Sequence, residues 1–147
     1  MPIMWPSNTK SIIDQIRNVI GRDVTFITVS DAEICPVCGV DPVSGGAIDP
    51  YCLTCSGLGY LYTYSGTTVS GHVTWGFSEL LAWYTGGQQF DGDCRVQIEY
   101  TPEMVTVLDD TKWVIIDNKT MQVKKRIYRG VQPINRILID LREIEKE

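Results

Sequence analysis

From Asp23 to Cys94 the chain has no lysine or arginine, although its 147 residues include thirteen, and Asp23, Asp31, Glu33, Asp41, Asp49, Glu79, Asp91 and Asp93 all fall in that stretch. A surface that grips nucleic acid must replace condensed counterions with cations, so this half of the molecule is expected to repel a polyanion. Histidine is almost missing: His72 is the only imidazole, and general-base schemes would have to rest on it. No glycine-rich phosphate loop is present, no calcium loop follows Asp91-Gly-Asp93, and no nucleophile and base stand in a familiar pattern. The expectation is a protein that is not an enzyme. No apolar run approaches the eighteen or more residues of a membrane helix. The start, Met1-Pro-Ile-Met-Trp-Pro, lacks the basic and long apolar segments of a secretory signal, which favours a reducing compartment.

What is present is two cysteine pairs, Cys35-Pro-Val-Cys38 and Cys52-Leu-Thr-Cys55, with thirteen residues between them. A gap of two lets both thiolates of each pair reach one ion, and two such knuckles supply the four sulfurs of a closed tetrahedral zinc site. Gly39 follows one pair and Ser56-Gly57 the other, which lets the backbone turn sharply and aim amide N–H groups at sulfur. Four protein ligands leave no position for a reacting water, so the zinc is expected to be structural. Two disulfides, or a redox-active pair at a helix N-terminus, are the alternatives. The intervening loop has too few large apolar side chains for a core of its own, and metal binding would supply its folding energy. Cys94, opening the alternating stretch Cys94-Arg-Val-Gln-Ile-Glu-Tyr100, reads as a buried, inert thiol, and His72 as a packing residue.

The net charge is −5, yet nine of the thirteen basic residues lie at or after Lys112, among them Lys124-Lys125-Arg126 and Arg129. They could meet phosphate or an acidic neighbour, or simply guard a solvated strand edge. After Ser7-Asn8-Thr9, which offers capping side chains, Ile12, Ile13, Ile16, Val19 and Ile20 recur at helical spacing and Gly21 follows, so an amphipathic helix is expected over about 9–20. Strands are expected over 24–29, 59–64, 67–75, 95–101, 112–117, 120–128 and 136–142, with a tight hairpin at Asp117-Asn118-Lys119 and Ile137, Ile139 and Leu141 on one face. Asp109-Asp110 reads as a turn. Residues 77–84 suggest a short helical turn, and 86–93 a mobile glycine-rich loop. These elements imply one domain over 1–147, mainly β: a small antiparallel β-barrel with one N-terminal helix, and a four-cysteine zinc loop inserted over 31–60.

Residues 105–141, with Trp113-Val-Ile-Ile116, Asp117-Asn118-Lys119, Lys124-Lys125-Arg126 and Arg136-Ile-Leu-Ile-Asp-Leu141, resemble the C-terminal half of tailed-bacteriophage head–tail connector proteins. The head-closure, or stopper, family is the closest type. There a hairpin, a short bend and a final strand close a small barrel. The acidic Cys-Pro-x-Cys-Gly and Cys-x-x-Cys insertion is similar to the zinc loop of some phage neck proteins. A competing likeness is the Cys-x-x-Cys-x-Gly-x-Gly repeat of the J-domain co-chaperones, which Cys52–Gly59 fits once where that family carries four copies. The stopper resemblance implies a ring, commonly of six copies, at the neck of a virion assembled in the host cytoplasm. It implies portal, adaptor and tail proteins as partners, and double-stranded DNA passing without sequence-specific binding. A zinc-ribbon module that docks a protein or nucleic acid is the alternative function.

Overall fold

Alternation of buried and open residues shapes several strands of the sheet: Cys94, Val96 and Ile98 point inward while Arg95 and Gln97 do not, and Val114 and Ile116 do the same one helix later. The computed structural model describes residues 8–76, 92–130 and 133–144. Its elements are α1 (Thr9–Ile20), β1 (Arg22–Ile34), β2 (Tyr60–Trp75), β3 (Cys94–Glu99), α2 (Pro102–Asp110), β4 (Thr111–Ile116), β5 (Lys119–Arg129) and β6 (Arg136–Glu143). The strands close into a barrel in the order β1-β2-β3-β6-β5-β4, which is the antiparallel β-barrel expected from the sequence. The helical turn expected over 77–84, and all but the end of the loop over 86–93, lie outside the described residues.

The chain forms two compact units, Met1–Ile27 with Gly66–Glu147, and Thr28–Ser65, with β1 and β2 contributing residues to both. In the first unit, Val24, Phe26, Cys94, Val96, Ile98, Val114, Ile116, Met121, Ile137, Ile139 and Leu141 fill the barrel. Ile137, Ile139 and Leu141 share the inward face, as their spacing predicts. Ile116 pairs with Lys119 across Asp117-Asn118, whose φ values of +49° and +64° make the two-residue turn that matches strand twist.

Three details depart from the sequence reading. Residues 59–64 and 67–75 are not two strands but one, β2, which passes through Ser65-Gly66 without turning. A Cβ on Gly66 would stand 3.1 Å from Thr25 Cγ2, so this glycine relieves crowding against β1 rather than making a bend. Asp109-Asp110 is no turn but the end of α2, an additional helix. Thr101 caps it by accepting from the Met104 N–H at 3.2 Å, Pro102 opens it, and Met104 and Leu108 face the core one turn apart. In α1 the expected span is found, yet Ile12, Ile16, Val19 and Ile20 are 47–84% exposed, and the buried residue is Arg17, whose guanidinium pairs with Asp14 at 3.1 Å. Gly21 ends the helix in an extended conformation, where a side chain would strike Ser70 and the Arg17 carbonyl.

Candidate metal centre

The second unit is built around sulfur. β1 delivers Cys35, whose N–H donates to the Gly59 carbonyl at 2.9 Å, and the chain then makes two turns of similar design. Gly39 N–H closes the first onto the Cys35 carbonyl at 3.0 Å, and Gly57 N–H closes the second onto that of Cys52 at 3.3 Å. In each, the residue after the second cysteine is left-handed: Gly39 at φ +67° and Ser56 at φ +52°. Gly57 follows at +75°, and a Cβ there would stand 2.3 Å from the Pro50 carbonyl oxygen, so the second knuckle admits no side chain at this position. The small residues noted in the sequence therefore give the sharp turns expected of them, but the Gly39 and Gly57 N–H groups go to carbonyl oxygens, and the amides aimed at sulfur are those of Val37, Cys38, Thr54, Cys55 and Gly59.

These turns bring Cys35, Cys38, Cys52 and Cys55 together, all four Sγ atoms lying within 4.8 Å of one another. Cys35 and Cys52 are 3.9 Å apart at sulfur, and Cys38 and Cys55 are 3.4 Å apart. A zinc ion bonded to four sulfurs at about 2.3 Å sets neighbouring sulfurs about 3.8 Å apart, so the cage has the size of a tetrahedral thiolate site. A disulfide needs about 2.05 Å, and all five cysteines are free. Neither pair lies at the start of a helix, which removes the context of the redox motif. Cys35, Cys52 and Cys55 are buried, Cys38 is half-buried, and Leu61 packs against them.

The electrostatics suit a cation. Backbone N–H groups of Cys38 and Val37 lower the Cys35 thiol, and that of Cys55, with Thr54, brings Cys52 down to about 7. Cys38 is pushed up to about 12, chiefly by burial and then by hydrogen bonds with the neighbouring sulfurs. Amide dipoles thus favour thiolate at the first cysteine of each pair, while four anions cannot share this volume until a positive ion replaces the last protons. The Gly59 N–H, 3.3 Å from Cys55 Sγ, adds a further donor aimed at sulfur.

The loop between the knuckles is held by its own carboxylates. Asp41 accepts from the Val43 N–H and the Ser44 hydroxyl, both at 2.9 Å, and the first of these holds it below the usual carboxylate range. Asp49 accepts from the Tyr51 N–H at 2.9 Å. In the sequence these acids stand out only as charge.

The other two residues singled out belong to the first unit. Cys94 is fully buried, and that burial, with Asp93 and Asp140 nearby, pushes its thiol up to about 12, so it is the inert core cysteine expected. His72 is half-buried opposite Gln97 and lines a cavity of about 190 Å³ with Ile13, Arg17 and Arg136. Among the described residues, the four cysteines are the one cluster of three or more metal-ligating side chains. No described helix is long and apolar enough to cross a membrane. No family model, curated protein or solved structure matches the chain.

Proposed function

We propose that this chain is a non-catalytic structural protein of a tailed-phage virion, a subunit of the head–tail connector or stopper ring whose inserted acidic unit is stapled by zinc. The observation that carries the reading is the cage of four thiols in a unit, Thr28–Ser65, without one lysine or arginine. Four thiolates around Zn²⁺ leave two further negative charges there, so the filled unit is anionic throughout. Such a surface does not hold a passing duplex, which suits a component of a DNA passage. The order of the last strands supports the same reading. The β4–β5 hairpin is followed by β6, which pairs with both β5 and β3 and completes the barrel, the arrangement that the stopper resemblance implies.

In this reading zinc is the metal, the ring is of this chain, commonly six copies, and portal or adaptor and tail proteins flank it at the virion neck. The test is location. Labelled antibody against this chain should decorate the neck of tailed particles, and particles made without it should lose their DNA after filling. Purified tailed particles that never contain the chain would sink the proposal.

A second reading, a zinc module that docks another protein as a monomer, is favoured by the exposed Val37 and Leu53, the central residues of the two knuckles. Solution mass separates the two readings, because a monomer at every concentration and on every partner fits only the second.

A further inference from the structure

The unit Thr28–Ser65 wears its apolar side chains on the outside. Val37 is 70% exposed, Val43 93%, Tyr51 87% and Leu53 98%. They have no interior to enter, because the centre of the unit is filled by sulfur with Leu61 against it. Exposed apolar groups concentrated in so small a unit mark a contact surface rather than the usual scatter of single residues. The charge beside them has one sign: Asp31, Glu33, Asp41 and Asp49, with no cation between Thr28 and Ser65. A partner for this surface must place apolar groups among cations.

The other unit of this same chain carries such cations on β5. Lys124, Lys125, Arg126 and Arg129 are exposed within six residues; the register puts Lys125 and Arg129 on the outward face with Asp140, and Arg126 and Tyr128 on the opposite face with Ile139 and Ile137. A bulge between Val123 and Lys125 leaves Lys124 without a cross-strand partner, and its ammonium donates to the neutral Gln122 side-chain oxygen at 2.8 Å. Arg126 is engaged with Asp109. Lys124 and Lys125 are therefore the cations best placed for an outside carboxylate.

We infer that the occupant of the inserted unit is a second copy of this chain: its acidic surface docks on the two lysines at the β5 bulge of the next molecule. Asp31 and Glu33 meet Lys124 and Lys125 at the β5 bulge. The two faces differ, so the contact is head-to-tail and repeats until it closes. This inference rests on the ring reading above for its closure and adds the residues that would make the joint.

The test is charge reversal on the full, zinc-loaded chain, read by sedimentation velocity. One variant carries Lys124→Glu with Lys125→Glu, and the other Asp31→Lys with Glu33→Lys. Asp41, Asp49 and Arg126 are left alone because they hold local structure. The wild-type chain should self-associate, about tenfold more weakly at ~500 mM than at ~50 mM salt, since the joint is charged and exposed. Each variant alone should be monomeric, because like charges then face each other. Mixed in equal amounts they should assemble again, every joint once more pairing opposite charges, which also shows that both variants fold. A wild-type chain that stays monomeric overturns the inference, and so does assembly that charge reversal leaves unchanged. Neither result by itself overturns the ring reading, because a ring that forms only on its partners also fits it, and its test is whether the chain sits at the particle neck.

Discussion

Arg95 on β3 and Asp140 on β6 stand directly opposite each other, and Arg95 donates from both Nε and Nη2 to the two carboxylate oxygens of a fully buried Asp140. Their alternating register sends these two side chains to the face away from the barrel interior, between inward-pointing Cys94 and Val96 on one strand and Ile139 and Leu141 on the other. The ion pair specifies register at this ladder, because a slip of one residue would carry a charge into the core.

Breaking such a pair costs more than deleting it. Arg95→Leu leaves the buried carboxylate without its fork of donors and should destabilise the barrel by about 3 kcal/mol or more, whereas Arg95→Leu with Asp140→Leu should recover most of that loss. Urea unfolding at constant m-value checks this. Equal stability of the single and double variants would show that the carboxylate does not depend on Arg95.

Metal binding should strengthen with pH. A thiol ligates only after losing its proton, so protons compete with the metal for every group still protonated. Cys38, held at about 12, must give up a proton throughout the neutral range, and Cys52, near 7, joins it as the pH falls. The apparent zinc affinity should therefore rise at least about tenfold per pH unit near pH 7.5, and more steeply below pH 7. Competition against a chromophoric chelator at several pH values measures the slope. A flat profile would mean that the metal displaces no proton from these sulfurs.

The knuckle backbone gives a paired prediction. Gly57→Ala combines φ +75° with a Cβ 2.3 Å from the Pro50 carbonyl, and should weaken zinc binding by about tenfold or more. Ser56→Gly removes a non-glycine residue from the left-handed region at φ +52° and should bind zinc at least as well as the parent. The same competition assay reads both, and equal loss in the two variants would contradict the geometry.

The barrel strands were legible because buried and open residues alternate in β3 and β4 and because β6 is a run of Ile137-Leu-Ile139 and Leu141 rich in strand-forming residues, and the four ligands were legible because two gaps of two have few other uses. The errors have physical causes. Gly66 looks like a turn residue, and only the side chains of Thr25 and Ile27 on the neighbouring strand show that it answers to crowding. Residues 30–34 are exposed in β1 and follow no burial pattern, so the strand runs past its expected end at residue 29 through pairing, as in the Ser30 hydroxyl bond to the Thr63 carbonyl at 3.0 Å. Thr101 keeps an extended backbone and so reads as more of β3, although Thr101-Pro102-Glu103 is a helix start and Met104 and Leu108 have helical spacing. The exposure of Val37 and Leu53 has no sequence signal, because it follows from an interior occupied by sulfur.

Thr101 offers a test of that missed start. Thr101→Ala removes the acceptor for the Met104 N–H and should cost about 1 kcal/mol, while Thr101→Asn or Thr101→Ser should stay near the parent. Thermal unfolding ranks the three. Loss of stability in the serine variant equal to that in alanine would assign the effect to packing rather than to capping.

Counting reactive thiols tests the metal cage and the barrel together. In the zinc-loaded chain all five cysteines should resist an aromatic disulfide reagent over minutes, four because their sulfurs are ligated and Cys94 because it is fully buried and stays protonated up to about 12. A chelator should release four thiols and no more, since the four sulfurs and Cys94 belong to separate packed clusters. Adding denaturant should then release the fifth. Fewer than four thiols freed by the chelator would reject the four-sulfur site, and five would mean that the barrel core opens when the metal leaves. Metal content on the same samples should fall from about one zinc per chain to none as the four thiols appear, which ties the protection to the ion rather than to burial alone.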